Sequence, residues 1–124
     1  MRSPMRKNKS TSDRLRGTLD ALILTALSGG PLHGYGVSRW LAGRSGKALR
    51  VEEGTLYPAL YRLERLGWIE AEWGTSELGR RARFYRLTPA GTRQLAVEVQ
   101  TFAEFVAAVS PILLPRSAAF GEGA

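Results

Sequence analysis

The chain contains no cysteine, which removes disulfide frameworks, thiol catalysis and cysteine-based zinc sites and suits a reducing cytoplasm. It has one histidine, His33, flanked by leucine and glycine with no Ser, Cys or second His pattern around it. That residue reads as a helix-capping or packing group, not a catalytic base. Gly-x-Gly-x-x-Gly and a phosphate-loop Lys-Ser/Thr are both missing. Glu52-Glu53 are adjacent, and adjacent positions on a helix do not face one another, so they form no acid/base pair. No constellation assigns catalytic roles, and neither an enzyme, a cofactor nor a metal site is expected. No hydrophobic run is read as a membrane span: Ala21–Ser38 is broken by Gly29-Gly30-Pro31, and Phe105–Pro115 is short. The basic N-terminus is not followed by the apolar stretch of a signal peptide.

What remains is a soluble composition, 44% hydrophobic and 23% charged, in 124 residues, enough for one domain with one modest core. The charge is uneven. The net value is +7. Residues 1–17 carry six bases against Asp13, residues 74–93 carry five arginines against Glu77, and from Gln94 onward acids outnumber bases. Clusters confined to an N-terminal arm and a later turn imply a one-sided surface for a polyanion.

Residues 1–11 lack pattern and are expected to form a flexible basic arm. Ser12 and Asp13 can cap a first helix bearing Leu15, Leu19, Leu22, Ile23, Ala26 and Leu27, stopped by Gly29-Gly30-Pro31. A second helix is expected over Leu32–Ala42, with Val37, Trp40 and Leu41 inward and Tyr35 near its start, within reach of a phosphate. Leu49-Arg50-Val51 is a candidate minimal strand. The next helix opens between residues 52 and 55 and closes at Gly67, a left-handed residue after Leu66. Its Leu56, Leu60 and Leu63 form one stripe, while Thr55, Tyr57, Pro58, Tyr61, Arg62 and Arg65 point elsewhere. Hydroxyls, aromatic rings and guanidinium groups suit a groove of phosphates and base edges better than they suit plain solvent. If Thr55 is the N-cap, Pro58 stands in the first turn; an earlier start puts it inside the helix.

After Gly67 the period changes to two. Ile69, Ala71 and Trp73 alternate with Trp68, Glu70 and Glu72, and Arg83, Tyr85 and Leu87 alternate with Ala82, Phe84 and Arg86, which makes a β-hairpin with an arginine-bearing tip over Gly74–Arg81. Thr88-Pro89 opens a last helix, expected to end at Pro111. Leu95, Val99, Phe102, Val106 and Val109 are spaced 4, 3, 4, 3, a seam that suits pairing with a symmetry mate. Phe102 and Phe105 are candidates to line a cavity for a flat apolar or aromatic effector between subunits. Residues 111–124 are expected to form a disordered tail.

Four segments carry a resemblance: Leu15–Leu24, Gly30–Tyr35, Gly54–Leu63 and Gly79–Gly91. In order and spacing they resemble the PadR family of bacterial transcriptional regulators, over roughly residues 14–110. The resemblance implies a mainly α fold with a small β-hairpin: a winged helix-turn-helix over 12–88 and a dimerisation helix over 89–110. It also implies a homodimeric, effector-releasable repressor acting on double-stranded DNA in the cytoplasm, at the nucleoid. By similarity, Thr55, Tyr57 and Pro58 lie at the DNA-facing start of the recognition helix, and Arg80, Arg81 and Arg83 are wing contacts. Tyr35 and Arg62 join them from the residue-level reading. The family often has Ser-Pro where this chain has Glu52-Glu53, two carboxylates that suit a helix N-terminus but repel phosphate. The competing reading is a winged-helix module that binds protein without reading DNA.

Overall fold

A computed structural model of the chain describes residues 11–114, with side chains from Gly17 onward. The elements run α1 (Thr11–Leu27), β1 (Leu32–His33), α2 (Gly34–Arg44), α3 (Glu53–Arg65), β2 (Ile69–Thr75), β3 (Arg81–Leu87) and α4 (Pro89–Leu113). The three strands form one antiparallel sheet in the order β1-β3-β2, packed beside the helices in a winged-helix arrangement. The expected basic arm, the side chains of the Ser12–Asp13 cap and most of the expected tail lie outside the described residues.

The core is built where helical and strand periodicities converge. Ile23, Leu24 and Leu27 of α1, Val37 and Leu41 of α2, Leu56, Ala59, Leu60 and Leu63 of α3, and Ile69 and Tyr85 of the hairpin are all buried. Each fully buried leucine contributes about 1.5–3 kcal/mol relative to exposure, so the α3 stripe alone is a large part of what orients that helix.

Three local expectations are corrected, and the start of α3, expected between residues 52 and 55, falls at the early end of that range. The sheet has three strands, because Leu32 and His33 pair with Tyr85 and Phe84 before α2 begins at Gly34. Residues 49–51 are not a strand. The N-cap of α3 is Glu52, whose carbonyl accepts from the N–H groups of Thr55 (2.9 Å) and Leu56 (2.8 Å), so Thr55 is not the cap and Pro58 lies inside the helix. Pro58 cannot donate to the Gly54 carbonyl, but Gly54 is exposed and water can satisfy that oxygen. Finally, α4 runs through Pro111 to Leu113. Its 25 residues are therefore long and apolar enough to cross a membrane by length and composition, which corrects the expectation drawn from the shorter run.

The end of α3 follows its expected chemistry in full. Gly67 adopts φ +80°, its N–H donates to the Glu64 carbonyl (3.0 Å), and the Trp68 N–H reaches back to the Leu63 carbonyl (3.1 Å). This paired closure turns the chain sharply into β2. Thr88 then ties the far end of the hairpin to the same corner. Its N–H donates to the Trp68 carbonyl (3.1 Å), its hydroxyl donates to the Gly67 carbonyl (2.7 Å), and the same oxygen accepts the Gly91 N–H (3.0 Å) to cap α4. Gly91 sits so close to Trp68 that an added Cβ would stand 1.9 Å from the Trp68 carbonyl oxygen.

Gly91→Ala is accordingly expected to lower stability by about 1–3 kcal/mol, the range for forced overpacking. Gly54→Ala, where nothing lies within 4 Å of a new Cβ, should instead raise it by about 0.4–1 kcal/mol. Urea unfolding of the two variants checks both signs.

Candidate nucleic-acid interface

The stripe that buries Leu56, Leu60 and Leu63 determines what α3 leaves outside. Thr55, Tyr57, Pro58, Tyr61 and Arg65 are exposed, Tyr57 at 43% and Tyr61 at 64%. The Arg65 guanidinium lies over the Tyr61 ring, 5.8 Å from its centroid. Tyr57 leans toward the start of α2, where Gly34 leaves room for it: a Cβ there would stand 2.5 Å from the Tyr57 hydroxyl. Partial burial, and then the Glu53 charge, push the Tyr57 phenol above its ordinary pKa, so it remains a neutral hydrogen-bond donor.

Arg62 departs from the expectation. Its guanidinium turns toward α1 and donates to the buried Asp20 carboxylate, with side-chain exposures of 36% and 7% for the pair. At one flank of α3, the nearest acid is on a neighbouring helix and not in solvent, and the arginine fork goes to it. Arg62 is thus a brace between α3 and α1 and leaves the set of groups presented outward. Arg83 is corrected in the same way. It makes a two-pronged pair with Glu64, both N–H···O distances being 2.9 Å, which ties β3 to α3. The Glu64 hydrogen bond, supported by Tyr85, holds the Arg83 guanidinium above its usual range. On the hairpin, Arg86 is paired with Glu70 at 2.9 Å.

Arg80 and Arg81 are different. Both are exposed, and neither forms an ion pair among the described residues. The tip that carries them is folded around Ser76, whose N–H donates to the Arg80 carbonyl (2.7 Å) and whose carbonyl accepts from Gly79 (2.9 Å), with Gly79 at φ +77°. The Arg81 guanidinium lies over the Trp73 ring, 4.4 Å from its centroid. Trp73 itself is 56% exposed, because it occupies the core-facing strand register but lies beyond the end of the core. The strand alternation places it in register with Ile69 and Ala71 and names it at no site; its place near the tip, two steps past Ala71, was the feature that distinguished it.

His33 caps α2: its Nδ1 accepts the Gly36 N–H at 2.9 Å, which leaves the proton on Nε2, facing Glu77 of the tip at 3.5 Å. Tyr35, 57% exposed, stands on the same side. Together the start of α2, Tyr57 and the inner side of the hairpin tip enclose an open cleft of about 440 Å³ that Arg80, Arg81 and Trp73 also line. The structure therefore gathers Tyr35, Tyr57, Arg80, Arg81 and Arg83 around one feature, while Arg62 and the fork of Arg83 are engaged in internal pairs. Among the described residues no group of three or more His, Cys, Asp or Glu side chains is arranged to hold a metal ion.

On α4, Val99, Phe102 and Val106 are exposed, whereas Phe105 and Val109 are half-buried. Leu95 is corrected: it packs against this chain's own core, since the first turns of α4 lie on that core.

The profile of the PadR-like transcriptional regulator family matches residues 23–97, from the core of α1 through the wing into α4. The chain belongs to the PadR-like family of transcriptional regulators. A transcriptional regulator from Clostridium thermocellum superimposes on this PadR-like chain with a TM-score of 0.72 at 29% identity, covering 82% of this chain and 98% of that one. A PadR-like regulator from Bacillus cereus gives 0.66 at 29% identity, covering 84% and 99%. In sequence, an uncharacterised protein of Lysinibacillus sphaericus is 34% identical over 93 residues, 75% of this chain and 85% of its own length. A transcriptional regulator of Mycobacterium tuberculosis is 44% identical over 55 residues, 44% of this chain and 50% of that protein.

The internal pairs of this PadR-like regulator act on stability. Asp20→Ala and Arg62→Ala are each expected to cost about 1–3 kcal/mol, with Arg62 at the low end because its side chain is partly solvated. The double variant should lose clearly less than the sum, and a double-mutant cycle by chemical denaturation measures the difference.

Proposed function

We propose that this regulator is a homodimeric, sequence-specific repressor of transcription that reads a pseudo-palindromic operator in double-stranded DNA and releases it on binding a small effector. The observation that carries the reading is the division of the arginines. Arg62 and Arg83 are held by acids of the same chain, while Arg65 on the outward face of α3 and Arg80 and Arg81 at the wing tip form no ion pair among the described residues. A cation paired internally adds little to attraction for phosphate; a free one on an exposed ribbon adds a full contact.

In this reading α3 lies in the major groove with Thr55, Tyr57 and Pro58 at base edges or sugar, Tyr35 approaches a phosphate from the start of α2, and the wing follows the adjacent backbone. The carboxylates of Glu52 and Glu53 at the N-cap and first turn favour the helix dipole and are kept off the phosphates by an entry that leads with Tyr57. The second recognition helix comes from a symmetry mate. Val99, Phe102 and Val106 give α4 an apolar surface to share with it, and two α3 helices about 34 Å apart would meet successive turns of the groove. A flat apolar or aromatic effector would sit near Phe102 and Phe105 at that seam. Such a protein works in the cytoplasm, at the nucleoid, and α4 serves a partner helix in place of a membrane.

Replacing both Arg80 and Arg81 by Ala is expected to weaken binding to operator and random duplex alike and to lower the slope of log K against log salt by about 2. Changing Thr55 or Tyr57 should alter preference among sequences, by about 1–3 kcal/mol per base pair affected. Gel-shift titrations at several salt concentrations separate the two; unchanged random-sequence binding in the arginine variant would remove the wing from the interface. Phe102→Glu should leave the fold intact and yield a monomer by sedimentation equilibrium, whereas a dimer that persists would move the interface away from α4.

A further inference from the structure

The cleft between the wing tip and the start of α2 is more than a gap in a DNA-binding face. Its volume, about 440 Å³, falls in the range of small-molecule sites, about 300–1,000 Å³. Its walls combine two chemistries that a duplex backbone does not need together. Tyr35, Tyr57 and Trp73 keep 57%, 43% and 56% of their surfaces open, an unusual amount of aromatic area left facing one hollow. The Arg81 guanidinium lies over Trp73, 4.4 Å from the ring centroid, and its planar fork of N–H groups suits an anion gripped two at a time. Gly34 takes part by omission, since any side chain there would displace Tyr57.

We infer that this cleft is a binding site for a nucleotide, its planar base stacked among Tyr35, Tyr57 and Trp73 and its phosphate held by Arg81 and Arg80. Aromatic stacking accepts any base, because every base has a π-face, and the arginines supply the anion contact. One acid stands on the rim, Glu77. Its carboxylate is stabilised by its own backbone N–H and by His33, 3.5 Å away, so it is already engaged, and two free guanidinium groups outweigh it. The base and phosphate are those of a free mononucleotide; an unpaired stretch of DNA carries the same chemistry, an aromatic ring bearing a phosphate, and the test separates the two. The site overlaps the DNA-binding surface proposed above and rests on that reading only for its consequence: an occupied cleft claims the wing arginines and weakens the hold on duplex.

The test is a titration of the full chain with guanosine monophosphate, guanosine, inorganic phosphate and a short single-stranded oligonucleotide, read by tryptophan fluorescence and by calorimetry, with circular dichroism to confirm the fold of each variant. Saturable binding of the monophosphate is expected, with the nucleoside and phosphate each weaker by about tenfold or more. Trp73→Phe should abolish the fluorescence response, and Arg81→Ala should weaken the calorimetric affinity by about tenfold. Absence of saturable monophosphate binding overturns the inference, as does binding that neither variant alters. An oligonucleotide that binds where the monophosphate fails also overturns it, assigning the cleft to a strand. Duplex binding is measured in parallel, so intact duplex affinity without nucleotide binding sinks the cleft alone, and nucleotide binding without duplex affinity sinks the DNA reading alone.

Discussion

Burial of Leu56, Leu60 and Leu63 against Ile23, Leu24 and Leu27 is the constraint from which the rest of the molecule follows. Three leucines on one side of a thirteen-residue helix fix its rotation about its own axis, because turning it would expose several kcal/mol of apolar surface. Once rotation is fixed, the opposite side is fixed as well. Thr55, Tyr57 and Tyr61 face outward because the leucines face in. The paired hydrogen bonds at Gly67 then set the angle at which β2 leaves, and Thr88 locks the returning strand to the same corner. The wing stands where it does because α3 cannot turn.

Two ion pairs refine that geometry from the sides. Arg62 to Asp20 joins α3 to α1, and Arg83 to Glu64 joins it to β3. Together they make α3, the hairpin and α1 one mechanical unit. They also engage two arginines beside α3, leaving Arg65, Arg80 and Arg81 exposed with no ion pair among the described residues. Because α1 packs along α4, the Asp20 brace also connects α3 to the helix whose apolar side is open.

Much of this was legible in the residues. A change of period from 3.6 to 2 after Gly67 marks the hairpin, Thr88-Pro89 marks the last helix, and the leucine spacing marks the stripe; each is a local pattern with a local cause. The parts that were not legible depend on neighbours far away in the chain. β1 is two residues long and exists only through its pairing with β3, so no periodicity could announce it. Arg62 and Arg83 look like solvent-facing arginines until their partners, 42 and 19 positions away, are brought beside them. Leu95 fits a seam by spacing but falls where α4 still lies on its own core. Pro111 looks like a stop, although the helix continues for two more residues. The exposure of Tyr35, Tyr57, Arg80 and Arg81 was legible from the residues, whereas the pairing of Arg62 and Arg83 was not, since residue type reports charge but not whether an acid already holds it.

The most direct examination of the central claim is an NMR titration of the labelled protein with operator duplex. The account predicts that backbone and side-chain signals of Thr55, Tyr57, Arg80 and Arg81 shift together and saturate together, while the side-chain signals of Arg62 and Arg83 stay where their partners hold them. Shifts centred on Arg62, or a wing tip that does not respond while α3 does, would contradict it.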